Sequence, residues 1–72
     1  MNKALRDDTD AAIEFLRKGI VATDSNDLRI ALARRLIEAT RLPEAREVLR
    51  QVLAKEPTNA AALDLQKQIG AQ

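Results

Sequence analysis

An internal repeat restricts the fold of this chain more than any other feature of its sequence. Small and apolar residues in segment 12–26 recur at a fixed offset in segment 45–59. The matched pairs are Ala12 and Ala45, Phe15 and Val48, Leu16 and Leu49, Gly19 and Val52, Ile20 and Leu53, and Asn26 and Asn59. The same offset also aligns Ile30, Leu32 and Leu36 with Leu63, Leu65 and Ile69. A repeat of this length is typical of stacked helical hairpins, which serve mainly as binding surfaces.

The spacing of apolar residues predicts helices and no strand. The four predicted helices cover about residues 10–22, 27–40, 43–55 and 60–69. The fold class is therefore all-α, with about four antiparallel helices arranged as stacked helical hairpins. We expect residues 10–72 to form a single domain after a flexible lead-in over residues 1–9.

Each predicted helix has a pattern that indicates which side is buried. The first has one apolar arc, formed by Ala12, Phe15, Leu16, Gly19 and Ile20. The second has two apolar stripes, so it should pack against neighbours on two sides. The third again has a single apolar face, and the fourth is more polar, as a terminal helix facing water should be.

The helix ends also have recognisable signals. The turn over residues 23–26 offers side chains that can cap the second helix, and Thr58 or Asn59 can cap the fourth. Pro43 suits the first turn of the third helix, and Pro57 should stop that helix.

The composition argues against catalysis by this chain. The 72 residues include no Cys and no His, which removes thiolate catalysis, disulfides and the commonest general base. The acidic clusters, Asp7 to Asp10 and Glu44 with Glu47, fit helix starts better than acid–base catalysis. We therefore predict no enzyme activity, no metal and no cofactor. The lack of Cys fits the cytoplasm, with the soluble part of a larger protein as the alternative. The high Ala and Arg content with few Lys is typical of bacteria.

The stretch LARRLIEATRLPEAREVLRQVLAKEPTN, within residues 26–59, resembles a tetratricopeptide repeat. Its distribution of small, large and breaking residues follows that family at Leu32, Ala33, Leu36, Ala45, Leu49, Val52 and Pro57. Arg29 stands where the family usually has Trp, and Thr40 stands where it has the Gly of the turn between the helices. The offset is one residue shorter than the 34 typical of the family. The resemblance implies one full repeat with a helix on either side, and a scaffold or adaptor that binds a protein or peptide.

By the same resemblance, the first helix of each repeat lines a concave groove. Carried onto this chain, the groove residues are Asp27, Ile30, Arg34, Ile37 and Glu38. A helical wheel also places these residues on one side of the second helix. Arg34 could bind a carboxylate of a partner through two hydrogen bonds. Alternatively, Arg34 pairs with Glu38 one turn away, and the two isoleucines lie under the first helix.

The family members that grip a C-terminal carboxylate use a clamp of Lys and Asn. Ile30 and Arg34 occupy those places in this chain, so the clamp is not supported.

Two other functions remain open at the level of sequence. The first is a homo-oligomerisation domain of a larger protein. A homodimer is plausible because Ile13, Val21, Ile30 and Ile37 add apolar surface beyond the central core, and solenoids usually need about three repeats. A small nucleic-acid-binding regulator is the weaker alternative, because acidic residues interleave with the central arginines and the net charge is only +1. The chain has no apolar run that reaches the roughly 20 residues of a membrane span, so we expect no membrane insertion.

Overall fold

A computed structural model describes the backbone of residues 2–70 and the side chains of residues 9–70. Its elements are four helices: α1 (Asn2–Thr23), α2 (Asn26–Glu38), α3 (Leu42–Lys55) and α4 (Ala60–Gly70). No strand occurs within residues 2–70. The predicted all-α class and the tally of four helices are confirmed.

The start of α1 differs from its prediction. The sequence predicts a start near Asp10, whereas α1 begins at Asn2. Ala4, Leu5 and Arg6 are strong helix formers, and no Gly or Pro interrupts them, so the local propensity allows the helix to extend upstream. The division into a flexible lead-in over 1–9 and a domain over 10–72 stays a prediction.

The helices pack in chain order. The α2 helix lies at the centre, because it packs against α1, α3 and α4, while α3 packs against α2 and α4. Among the described residues, the backbone of α1 comes close to α2 alone. The sequence expectation of a second helix with neighbours on two sides is therefore confirmed.

The core is made of aliphatic side chains from all four helices. It contains the repeat positions Leu32, Ala33, Leu36, Ala45, Leu49 and Val52, together with Ile13, Ile30, Val48, Ala62, Leu65 and Ile69. Ala33 and Ala45 have no exposed surface, as expected where two helix backbones approach closely. Pro57 lies exposed in the turn between α3 and α4.

The apolar arc predicted for α1 is wrong at one residue. Phe15 is 76% exposed, whereas Ile13, which the arc omits, is only 1% exposed. The α2 helix covers the side of α1 that carries Ile13, Leu16 and Ile20, and Phe15 lies on the opposite side. Burial on α1 thus depends on which neighbour is present, and no described helix covers Phe15.

Most of the residues that the sequence suggests for a homodimer interface are covered by neighbouring helices in this fold. Ile13 and Ile30 are buried in the core, and Ile37 is half-buried against it. Only Val21 of that set is freely exposed, at 87%. Self-association through those four residues as a group is therefore not possible in this fold.

The turn between α2 and α3 closes with paired backbone hydrogen bonds. The Thr40 N–H donates to the Ile37 carbonyl at 2.9 Å, and the Arg41 N–H donates to the Leu36 carbonyl at 2.8 Å. This is the pattern of a Schellman motif, whose central residue adopts left-handed backbone. Thr40 has a φ of 58°, at the position where the family usually has Gly, so a β-branched residue occupies a strained conformation there.

The other two turns are held by side chains. The Ser25 hydroxyl accepts from the Leu28 N–H at 3.3 Å and caps α2, and the Asn59 side chain accepts from the Ala62 N–H at 2.9 Å and caps α4. Asn59 is one of the two residues predicted to cap α4. Asp24, which has a φ of 51°, accepts from Arg29 and from Lys55 and so ties the first turn to the end of α3.

Candidate functional site

A groove runs between α2 and α4, and neither α1 nor α3 contributes to its lining. Its cavity has a volume of about 370 Å³. The lining residues are Arg34, Ile37 and Glu38 from α2, and Asp64, Leu65 and Gln68 from α4. Three of the five groove residues predicted from the sequence thus line one concave surface.

The other two predicted groove residues lie elsewhere. Ile30 is a core residue with 8% of its surface exposed. Asp27 is exposed in the first turn of α2, where a carboxylate is stabilised by the helix dipole. Neither residue is part of the groove lining. The groove is therefore shorter along α2 than the sequence suggests, and it begins near Arg34.

Arg34 is the one basic residue among the described residues that line this groove. Its side chain is exposed, and among residues 9–70 it takes part in no ion pair or side-chain hydrogen bond. The sequence allowed a pair between Arg34 and Glu38, but Glu38 pairs instead with Arg35 at 3.2 Å. Asp64, across the groove, accepts from the Gln68 amide at 3.3 Å. The acidic residues beside Arg34 are thus engaged with other groups, and the guanidinium is left available.

Applying the repeat offset to the groove residues predicted on α2 does not identify the α4 residues that line the groove. The offset maps Arg34 and Ile30 onto Lys67 and Leu63, whereas the groove uses Asp64 and Gln68. Two neighbouring helices present opposite flanks to the groove between them, so the same repeat position cannot line it from both sides. The packing of α4 on α2 is needed to identify these residues.

A second concave region lies between α1 and α3, with a volume of about 430 Å³. Its apolar lining comes from Ile20 and Val21 of α1, Leu32 of α2, and Val48 of α3. Arg17 spans it, because the Arg17 guanidinium donates to the Glu44 carboxylate at 2.8 Å. Side chains alone therefore connect α1 with α3 across this region.

The carboxylates near this second region are ordinary anions. Hydrogen bonds from Arg41 are the main cause of the lowered pKa of Glu44, with Arg17 adding to the effect. Hydrogen bonds from Arg50 likewise lower the pKa of Glu47. A general acid would need the opposite shift, toward the working pH. Glu44 joins α3 to α1 by accepting from Arg17, whereas Glu47 accepts from Arg50 of its own helix.

Arg29 is a largely buried arginine that is not among the groove residues predicted from the sequence. Its side chain is only 11% exposed, and it donates to Asn26 and to Asp24. The Arg29 Nε is buried without a hydrogen-bond partner among the described residues. The family usually has Trp at this position, which indicates a large, half-buried side chain. The methylene groups of Arg29 occupy that space, and its guanidinium reaches Asp24 in the first turn.

Within the described part of the chain, no cluster of three or more His, Cys, Asp or Glu side chains is arranged to hold a metal ion. None of the described helices is long and apolar enough to cross a membrane.

Comparison with known proteins places the chain in a family. The family model described as tetratricopeptide repeat matches residues 4–69, which is nearly the whole sequence. No curated protein and no solved structure matches significantly. The chain therefore belongs to the tetratricopeptide repeat family, and the resemblance drawn from residues 26–59 is confirmed. Repeats of this kind are in general protein–protein interaction modules.

Proposed function

We propose that this tetratricopeptide repeat chain binds a peptide segment of a partner protein in the groove between α2 and α4, without catalysing a reaction. The observation that carries this proposal is the unpaired Arg34 guanidinium in a concave surface between two helices. An unpaired guanidinium is suited to a carboxylate, because the two groups form two parallel hydrogen bonds.

The groove also offers apolar contact. Ile37 is half-buried against the core, and Leu65 lies at the base of the groove with 4% of its surface exposed. A peptide side chain that covers Ile37 would remove further apolar surface from water, at about 25 cal/mol for each Å². We therefore infer a ligand with an apolar side chain next to its acidic one.

Charge restricts the ligand further. Glu38 and Asp64 line the same groove as Arg34, so the groove has more acidic than basic groups. A run of acidic residues would be repelled by those two carboxylates. The preferred ligand has one carboxylate, directed at Arg34, among apolar and neutral or basic residues.

Selection from a random peptide library displayed on phage tests this proposal. We expect enrichment of single Asp or Glu residues beside Leu, Ile or Val, and no enrichment of acidic runs. Synthetic peptides from the selection should bind at least about 10-fold more weakly to Arg34→Glu, since a charge-assisted hydrogen bond contributes roughly 1.5–3 kcal/mol. Fluorescence anisotropy with labelled peptides measures both affinities.

Arg46→Glu is the matched control. Arg46 is also exposed and, within residues 9–70, in no ion pair, but it lies by the cleft between α3 and α4. This variant makes the same change in net charge and should bind the selected peptides like the wild type. Peptides that bind Arg34→Glu and the wild type equally would show that the groove is not the site. Amidated peptides then tell whether a side chain or the C-terminus supplies the carboxylate.

A further inference from the structure

One face of α1 is exposed along several turns of the helix. Ala11, Phe15, Lys18 and Ala22 follow one another at spacings of four, three and four residues, so they form one line along the helix. All four are exposed, and Phe15 is exposed by 76%. We call these four residues the Phe15 face. It lies opposite the side of α1 that packs on α2.

The Phe15 face has the pattern of a helix that packs against another helix. A spacing that alternates between three and four residues keeps a seam on one side over several turns. Its central aromatic is the largest exposed apolar side chain in the described part of the chain. Ala11 and Ala22 toward its two ends allow a second helix to come close.

We propose that a second copy of this chain covers the Phe15 face, with the two α1 helices antiparallel. In the register that suits such a seam, Phe15 packs against Lys18 of the partner subunit, and Ala11 packs against the partner's Ala22. The two-fold symmetry repeats each contact. An ammonium group over an aromatic face forms a cation–π contact, so the pairing of Phe15 with a lysine is favourable.

Charge complementarity selects the antiparallel arrangement. Asp10 and Glu14 lie in the N-terminal part of the described surface of α1, and Lys18 lies in the C-terminal part. Glu14 and Lys18 are both exposed and, within residues 9–70, belong to no ion pair. An antiparallel copy brings Glu14 toward Lys18 of the partner subunit. A parallel copy would place Lys18 against the partner's Lys18.

The size of the face sets the strength of this dimer. One helical seam buries less than the roughly 800 Å² per partner that is usual for stable complexes, so the dimer is weak and forms at high protein concentration. No residue of α1 lines the α2–α4 groove, so we expect the groove to stay open in both copies. The dimer would thus present two identical grooves, although the proposal does not depend on what binds there.

Sedimentation over a concentration series measures the association. We expect the mass of the wild type to rise from monomer toward dimer with concentration, and Phe15→Glu to stay monomeric at every concentration. Leu63→Glu is the control, because Leu63 is also an exposed apolar residue, at 41%, but lies on α4. That variant should dimerise like the wild type. A wild type that remains monomeric into the millimolar range overturns the proposal.

Single cysteines test the direction of the helices, since these 72 residues contain no Cys. Ala11→Cys and Ala22→Cys should form a covalent dimer under mild oxidation when the two variants are mixed, and much less when each is alone. Cross-linking of Ala11→Cys with itself as fast as in the mixture would contradict the antiparallel arrangement. Both substitutions are at exposed helical positions, and circular dichroism checks that the variants fold.

Discussion

The helices α1 and α3 occupy equivalent positions in the internal repeat, yet they are buried to very different extents. On α3, Ala45, Val48, Leu49 and Val52 are all buried. Their counterparts on α1 are Ala12, Phe15, Leu16 and Gly19, of which none is fully buried. Phe15 is 76% exposed while Val48, at the matched position, is 6% exposed.

The difference arises from the neighbours of each helix. The α3 helix packs against α2 before it and α4 after it, whereas the backbone of α1 approaches α2 alone among the described residues. Phe15 is therefore more exposed than the smaller Val48, because no helix among the described residues packs against that side of α1. In a repeat fold, burial follows the place of a helix in the stack as much as the residue type.

The largest expected effect comes from truncating the matched leucines. Leu49→Ala should lower the free energy of unfolding by about 2–5 kcal/mol, because it leaves a cavity in a fully buried site. Leu16→Ala should cost less than half as much, since Leu16 is only partly buried and its surroundings can relax. Urea unfolding followed by circular dichroism measures both. Equal losses would mean that α1 is as well packed as α3.

Enlarging the matched alanines should give a smaller contrast. Ala45→Leu should cost roughly 1–3 kcal/mol, because the new side chain has no room beside α2. Ala12→Leu is expected to have an effect within about 0.5 kcal/mol, as Ala12 is only partly covered. Thermal unfolding of the two variants distinguishes them. A large loss in Ala12→Leu would indicate a neighbour on α1 that the described helices do not provide.

A third contrast concerns Gly19 and Leu28, which the repeat aligns with Val52 and Ala61. A Cβ at Gly19 would lie 3.1 Å from Leu28 Cδ1, so the small residue on α1 is matched by a large one on α2. Gly19→Ala should stabilise the fold by about 0.5 kcal/mol, because the gain in helix propensity of about 1 kcal/mol exceeds the cost of shifting Leu28. In a Leu28→Ala background the same change should give the full 1 kcal/mol. A loss of stability in the single variant would mean that Leu28 cannot move.

The smallest contrast is between the turns that follow the two helices. Asp24 directly follows α1, and hydrogen bonds from Lys55 and Arg29 lower its pKa to about 2 from an ordinary 3.8. Because the folded-state pKa is below the unfolded one, this stabilisation is present above about pH 4 and disappears as the pH falls toward 2. Pro57, the counterpart of Asp24 after α3, has no side chain that titrates.

The Asp24→Asn variant isolates this contribution from the other carboxylates. The melting temperature of the wild type should exceed that of Asp24→Asn at pH 5 to 7, and the two should converge near pH 2. Thermal melts at several pH values follow the difference. A constant difference down to pH 2 would show that the ion pairs of Asp24 do not stabilise the turn.

Local signals in the sequence predict the bounds of several helices. Pro43 and Pro57 mark the start and end of α3, and Asn59 caps α4, so the predicted and observed bounds of these helices agree within a residue. The start of α1 was missed because Thr9 and Asp10 resemble capping residues, although the residues before them also favour a helix. A capping side chain within a run of helix formers does not by itself stop the helix.

The candidate groove was only partly predictable. Arg34, Ile37 and Glu38 follow from the pattern of α2, whereas the contribution of α4 depends on which flank it turns toward α2. The choice of Glu38 for Arg35 rather than Arg34 is equally a matter of geometry, because both arginines are within one turn of it. Sequence spacing lists the possible pairs, and the packed structure decides among them.

The single backbone neighbour of α1 has a consequence for how the molecule opens. Since α1 contacts the rest mainly through α2 and a few ion pairs, it can detach while the other three helices remain folded. Its amide hydrogens should then exchange with solvent through local opening, well before those of α2, which can exchange only when the whole stack opens. The chain would unravel from its ends inward, with the central helix the last to lose its structure.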